Sequence, residues 1–158
     1  LALHHLDVVL AGQAAPRNPN LRLTSERLVD SPVEWYGPAR LVGKTERDRF
    51  PQSLNDLPVL LPTGHSALRP TLDHWFETQG LRPRIVGEFE DSALLAVFAA
   101  RGLGVFPVSR LGADDVGLMR GLCLLGSRDG VKEAIHAIRS RRGQHHPLVT
   151  QVVAAARL

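Results

Sequence analysis

The chain has 158 residues, 44% apolar and 22% charged, with a formal net charge of +3. That length suits one domain or two small lobes. The composition excludes a disordered polyampholyte, and no apolar run approaches the ~18–20 residues that span a bilayer. The positive excess gathers at the C-terminal end, where Arg128, Lys132, Arg139, Arg141, Arg142 and Arg157 outnumber Asp129 and Glu133. So small a surplus reads as a solvated basic face rather than a nucleic-acid footprint. A single cysteine, Cys123, excludes an internal disulfide framework and a multi-cysteine zinc site, and fits a reducing compartment such as the cytoplasm.

The opening stretch LALHHLDVVLAG lacks a basic n-region and carries Asp7 among its apolar residues, so it does not read as a signal peptide. Leu6–Gly12 has the pattern of a buried strand meeting a loop. A free-standing domain seldom opens on a core strand, so the chain is expected to be part of something longer. Gln13–Asn20 reads as loop. Leu21, Leu23 and Leu28 alternate with polar residues in an extended segment that Pro32 breaks. Val33–Tyr36 is a further strand, stopped by Gly37-Pro38, and Ala39–Asn55 is expected to hold a short helical turn and loop.

The middle of the chain is clearer. Pro58–Pro62 is a buried strand, Thr63-Gly64-His65 a turn, and Ser66 an N-cap whose hydroxyl can accept from a helix amide. Leu68, Leu72, Trp75 and Phe76 fall on one helical face, Pro70 is tolerated in the first turn, and Gly80 supplies a left-handed stop. Arg84–Glu90 is the next strand. Asp91 or Ser92 caps a second helix with Leu94, Leu95 and Phe98 inward, ending at Gly102, and Val105–Val108 is a third strand. Leu122–Leu125 and Ala134–Ile138 read as two more strands. His146–Leu158 reads as a helix with Leu148, Val152, Val153 and Ala156 inward.

Pro58–Val108 therefore spells two right-handed βαβ units, an α/β pattern with a parallel sheet. In such sheets ligands bind beyond the carboxyl ends of the strands. Those ends carry Thr63-Gly64-His65-Ser66, Glu90-Asp91-Ser92 and Phe106-Pro107. The first two also open helices, where free amides and the dipole favour anions. The candidate ligand edge is thus Gly64, His65 and Ser66, with Phe106 and Pro107 as an apolar wall, suited to a small anionic molecule or an ordered anion. The plainer alternative is that Ser66 only caps its helix and Phe106 is core.

Enzyme signals are poor. There is no GxSxG, P-loop, helix-opening GxGxxG or HExxH, so neither catalysis nor a cofactor is expected. Glu88 and Glu90 share a strand face at a wet edge rather than forming an acid–base pair. The pairs His4-His5 and His145-His146 diverge too far to chelate a metal. His136 reads as structural and Cys123 as buried and inert.

The stretch LDHWFETQGLRPRIVGEFEDSALLAVFAARGLGVFP resembles the effector-binding region of LysR-type transcriptional regulators. WFETQGL, GEFEDSALL, EAIHAI and QHHPLV are similar to the branch that activates sodium/proton antiporter genes. The resemblance implies a periplasmic-binding-protein-like fold of two α/β lobes joined by two crossover strands. Lobe one would comprise residues 1–29 and 131–158, and lobe two residues 32–128. It further implies a small-molecule or ion effector held between the lobes, by the loop before the Ser66 helix, by Phe106-Pro107, and by Ala11 and Gly12 of lobe one.

The family's winged helix-turn-helix is missing from the sequence, so DNA would be reached only through that N-terminal domain. Also missing is the first strand–helix–strand of lobe one, which leaves that lobe incomplete. The resemblance implies a cytoplasmic homo-oligomer, paired partly through a lobe-two helix near Ser92–Arg101, with no membrane partner. For the antiporter branch the signal would be sodium or alkaline pH, although the sequence shows no cage of oxygen ligands for sodium. Two other readings share the fold. A solute-binding protein would carry a signal peptide or lipoprotein cysteine, and an enzyme would carry a convergent nucleophile and base; neither feature is visible.

Overall fold

In chain order the elements are β1 (Val8–Ala11), β2 (Leu23–Pro38), α1 (Lys44–Asp48), a 3-10 turn at Gln52–Asn55, β3 (Pro58–Pro62), α2 (Leu68–Thr78), β4 (Arg84–Phe89), α3 (Ser92–Ala100), β5 (Phe106–Ser109), β6 (Leu122–Ser140) and α4 (Pro147–Ala156). They belong to a computed structural model that describes residues 6, 8–15, 22–111, 113, 121–140 and 147–157. The histidine pairs at 4–5 and 145–146 lie outside the described residues. The chain divides into two units, Leu1–Ser31 with Glu133–Leu158, and Pro32–Lys132. One sheet has the strand order β1-β6-β2-β5 and a second pairs β3 with β4. The inner strands β2 and β6 each run through both units.

Two strand readings need correction. The segment expected to break at Pro32 is one continuous strand, β2, and the two strands expected within Leu122–Ile138 are one strand, β6. The β5 ladder begins one residue after Pro32, at Val33↔Ser109, so the missing amide removes no bond from that ladder.

In the larger unit β3 and β4 run parallel, from Pro58↔Arg84 to Pro62↔Phe89. A register shift after Val59 leaves Val86 as the extra residue of a bulge, and β4 ends at Phe89 rather than Glu90. The second βαβ unit closes through a parallel bridge, Val59↔Val105: the Leu60 amide donates to the Val105 carbonyl at 2.8 Å, and the Val105 amide to that of Pro58 at 2.9 Å. Beyond that bridge β5 turns its other edge to β2 in antiparallel register.

Helix α2 buries Leu72, Trp75 and Phe76, with Leu68 packed alongside. These meet Val33 and Trp35, alternate residues on one face of β2, together with Leu54, Val59, Leu61 and Val105. Gly80 and Gly102 follow α2 and α3 at φ of 65° and 94°, left-handed positions that suit glycine. Helix α3 faces its sheet with Leu95, Ala96 and Ala99, while Leu94 is exposed and Phe98 partly buried, a one-residue rotation from the expected face. The eight α3 residues after Ser92 are all Ala, Leu, Val or Phe, so periodicity could not select a side. The two inward alanines let the helix lie close to Leu60 and Phe106.

In the smaller unit β1 pairs antiparallel with β6, from Val8↔Arg139 to Ala11↔His136. Val149 and Val153 of α4 pack on Ala137 with Val8 and Leu28; Val153 is inward as expected, while Leu148 and Val152 are exposed, a correction to the rest of that expected face. Glu26 accepts from Arg139 at 2.7 Å and also pairs with Arg157, tying β2 to β6 and to the residue after α4.

Candidate functional site

The parallel pairing of β3 with β4 sets the start of α2 and the start of α3 at the same sheet end, each just past a strand's last residue. The Thr63 amide donates to the Phe89 carbonyl at 3.1 Å, which joins the two strand ends. The chain then turns: the Ser66 amide donates to the Thr63 carbonyl at 3.0 Å. The Leu68 amide donates to Ser66 Oγ at 3.2 Å. The N-cap position itself is Ala67, so Ser66 acts one residue earlier than expected, through an amide two residues on. Gly64 and His65 are exposed at the tip and Ser66 is half-buried. A side chain at Gly64 would meet nothing within 4 Å, so this glycine stands in open space.

Phe106 is 2% exposed and lies among Leu60, Leu95, Ala96 and Ala99 in the core beneath α3. Pro107 is buried on β5 opposite Trp35. The turn Gly64–Ser66 and the Phe106-Pro107 pair thus sit on neighbouring strands, the first open to solvent and the second covered. Gly12 is the bend residue directly after β1, in the smaller unit.

The sequence reading passed over Arg69. Its guanidinium reaches back from the first turn of α2 to the Pro62 carbonyl, Nη1 to O 2.9 Å, and also lies 3.2 Å from Glu88 Oε2 on β4. Its Nε donates to Asp73 Oδ1 at 2.9 Å, one helical turn on. Burial opposes its charge, but hydrogen bonding and attraction from Asp73 and Glu88 outweigh that, so its pKa lies above the ordinary arginine value. The i, i+4 spacing of Arg69 and Asp73 was visible in the sequence; Glu88 and Pro62 join them only through the β3–β4 pairing. Glu88 is therefore an ion-pair partner, while Glu90 lies in the bend beyond β4.

The start of α3 differs. Asp91 Oδ1 accepts from the Ala93 amide at 2.8 Å and the Leu94 amide at 3.4 Å. A carboxylate thus occupies that helix's positive end, whereas the start of α2 is met by the neutral hydroxyl and carbonyl of Ser66. Among the described residues no group of three or more metal-ligating side chains could hold an ion. No helix among them is long and apolar enough to cross a membrane.

This arrangement is that of the periplasmic-binding-protein-like regulatory domains. The cofactor-binding domain of the Cbl transcriptional regulator superposes with a TM-score of 0.77 at 18% identity, covering 99% of this chain and 68% of that one. The Synechocystis PCC6803 CcmR regulatory domain in complex with 2-PG superposes with a TM-score of 0.67 at 15% identity, covering 98% and 73%. The family model for the LysR substrate binding domain matches residues 1–157, and the chain belongs to that family, whose members are transcriptional regulators rather than enzymes. The transcriptional activator protein NhaR of Escherichia coli (strain K12) is 29% identical over 152 residues, which is 96% of this chain and 49% of NhaR. The chain spans about half the length of the curated relatives it matches.

Proposed function

We propose that this chain is the sensing part of a longer, cytoplasmic LysR-type transcription regulator, without catalytic activity, and that the turn Thr63–Ala67 is where a small anion meets the larger unit. The observation that carries this reading is the family match over residues 1–157, together with an exposed turn at the carboxyl end of β3. The amides of Gly64, His65 and Ala67 would receive the anion, since those of Leu68 and Arg69 are held by Ser66 and Pro70 has none, and no carboxylate stands in the first turn of that helix to repel it. The bound effector would act by its differential affinity for two conformations of the regulator. DNA would be contacted only by a domain outside this chain.

Self-association of the longer regulator belongs to the same proposal. A second copy is the occupant assigned to the face of α3 on which Leu94 and Val97 are exposed, the helix through which the family resemblance implies pairing.

The test is a titration of the chain with inorganic phosphate and with 2-PG, followed residue by residue by amide NMR. The expected result is a saturable shift at Gly64, His65 and Ser66. A ligand at 100 times its Kd should also stabilise the fold by ~2.7 kcal/mol. Ser66→Gly keeps most helix-start stability and should weaken the shift if Ser66 touches the anion. Shifts confined to the basic C-terminal region, with none at 64–66, would refute the assignment.

A further inference from the structure

We propose that Arg69 is the positioning residue of this sensing turn: its guanidinium bridges the two ends of Thr63–Ala67 and holds Gly64 and His65 in one presented conformation. This rests on the reading of the turn given above, but it is argued from different observations. The turn leaves β3 at Pro62 and enters α2 at Leu68. Arg69 stands just inside the helix, and its Nη1 donates to the carbonyl of Pro62, just before the turn. A single side chain therefore spans the loop it flanks. The other contacts fix that side chain in turn: Asp73 from α2 at 2.9 Å and Glu88 from β4 at 3.2 Å. Strand β3, strand β4 and helix α2 all converge on one planar group.

The turn has little else to order it. Gly64 and His65 are exposed, and nothing lies within 4 Å of where a Gly64 side chain would begin. Glycine at such a place samples many backbone conformations. The backbone amides that restrain the turn are those of Thr63, Ser66, Leu68 and Arg69, and the Leu68 bond depends on a hydroxyl. Segments with few apolar contacts open locally long before the fold does. A turn that must be ordered on binding weakens its ligand by the fraction of time it is disordered, so a clamp beside it raises affinity without touching the ligand.

Arginine suits this role and lysine does not. The guanidinium presents several N–H donors in a fixed plane, enough to meet a carbonyl and two carboxylates at once, whereas an ammonium is a point charge on a flexible stem. Only 14% of the Arg69 side chain is exposed, so it is screened less than a surface ion pair. Its Nε and Nη1 face Asp73, Pro62 and Glu88, and two carboxylates already offset its charge, so it is a positioning residue rather than the anion's counter-ion.

The test is amide hydrogen exchange on the chain and its variants Arg69→Met, Arg69→Lys and Glu88→Gln. In Arg69→Met the Ser66 and Leu68 amides should exchange about tenfold faster or more, as expected for a released local opening. The Leu60 and Val105 amides, which form the β3–β5 bridge, should stay within about twofold of the parent. Arg69→Lys should show most of the same acceleration, because charge without the planar fork does not bridge the loop. Uniform acceleration that includes Leu60 and Val105 would overturn the proposal and make Arg69 a general stabiliser. Unchanged exchange at Ser66 and Leu68 would overturn it in the other direction. Should Arg69→Met fail to fold, the same ratio of turn to bridge exchange is read in Arg69→Lys and Glu88→Gln. A phosphate or 2-PG titration that leaves the parent turn unshifted would sink the sensing role while leaving this exchange result intact, so the two failures are separable.

Discussion

Removing the Phe76 ring is the most direct challenge to the packing that supports the turn before α2. Phe76 packs against two indoles, its ring centre 6.0 Å from that of Trp35 and 5.7 Å from that of Trp75, tilted by 49° and 48° from them. The indoles lie 6.3 Å apart, and Phe50 approaches Trp75 at 6.4 Å. Phe→Ala in a closed core costs ~3–5 kcal/mol, and each aromatic pair adds ~0.5–1.5 kcal/mol within that total. The site collapses poorly, because Trp35 is held in β2 and Trp75 in α2, so ~4 kcal/mol is expected for Phe76→Ala. With a urea m-value of about 2 kcal/mol/M, the midpoint should fall by ~2 M. At ~2–4 °C per kcal/mol, the melting temperature should fall by ~8–16 °C. Trp35 and Trp75 are the two tryptophans of the chain, so their emission reports on the cavity itself. The parent should emit as buried indole and lose that signal in a single urea transition, with Phe76→Ala shifted and already red-moved before it. A midpoint within a few tenths of a molar of the parent, with unchanged emission, would refute the assignment of this face as core.

Gly104→Ala should destabilise by ~1–3 kcal/mol, as overpacking does, because its Cβ would stand 2.7 Å from the Pro58 carbonyl, beside the bridge that joins β3 to β5; a thermal melt equal to the parent's would contradict the close approach. Asp91→Ala should cost ~1 kcal/mol through loss of the α3 cap, and an unchanged urea midpoint would mean that the carboxylate does not serve the Ala93 amide.

The βαβ stretch was legible because its punctuation is chemical. Asp91 starts α3, Gly80 and Gly102 end their helices in left-handed backbone, and the α2 face follows a helical period. Where punctuation misleads, the reading failed. Pro32 looks like a break but sits just outside the β5 ladder, and Gly126 lies inside the continuous β6. Helix α3 has no polar side beyond Ser92 to orient it, which is why its inward residues lie one position on from the expected ones, whereas in α4 Val153 packs inward as expected and valines on both sides of Thr150-Gln151 left the rest of the face open. The turn at Gly64 was visible as Thr-Gly between a strand and a helix. The Arg69 clamp was not, because a helix residue, a strand carboxylate and a carbonyl seven residues back become neighbours only once β3 and β4 pair.

The two helix starts at this sheet end look equivalent in sequence, and the difference between them bears on the kind of signal the domain can take. Both α2 and α3 follow a parallel strand directly, so both point the positive end of a peptide dipole toward the same edge. At α3 the Asp91 carboxylate takes two of the first amides and sets a negative charge there. An anion arriving at α3 would have to displace that carboxylate and meet its repulsion. At α2 the corresponding oxygen is the neutral hydroxyl of Ser66, the nearest strand carboxylate, Glu88, is paired with Arg69, and Gly64 gives backbone access. The field and the steric opening therefore agree at one start and conflict at the other, which is the physical argument for proposing the turn before α2 as the anion's place. A neutral or cationic effector has no such reason to choose between them.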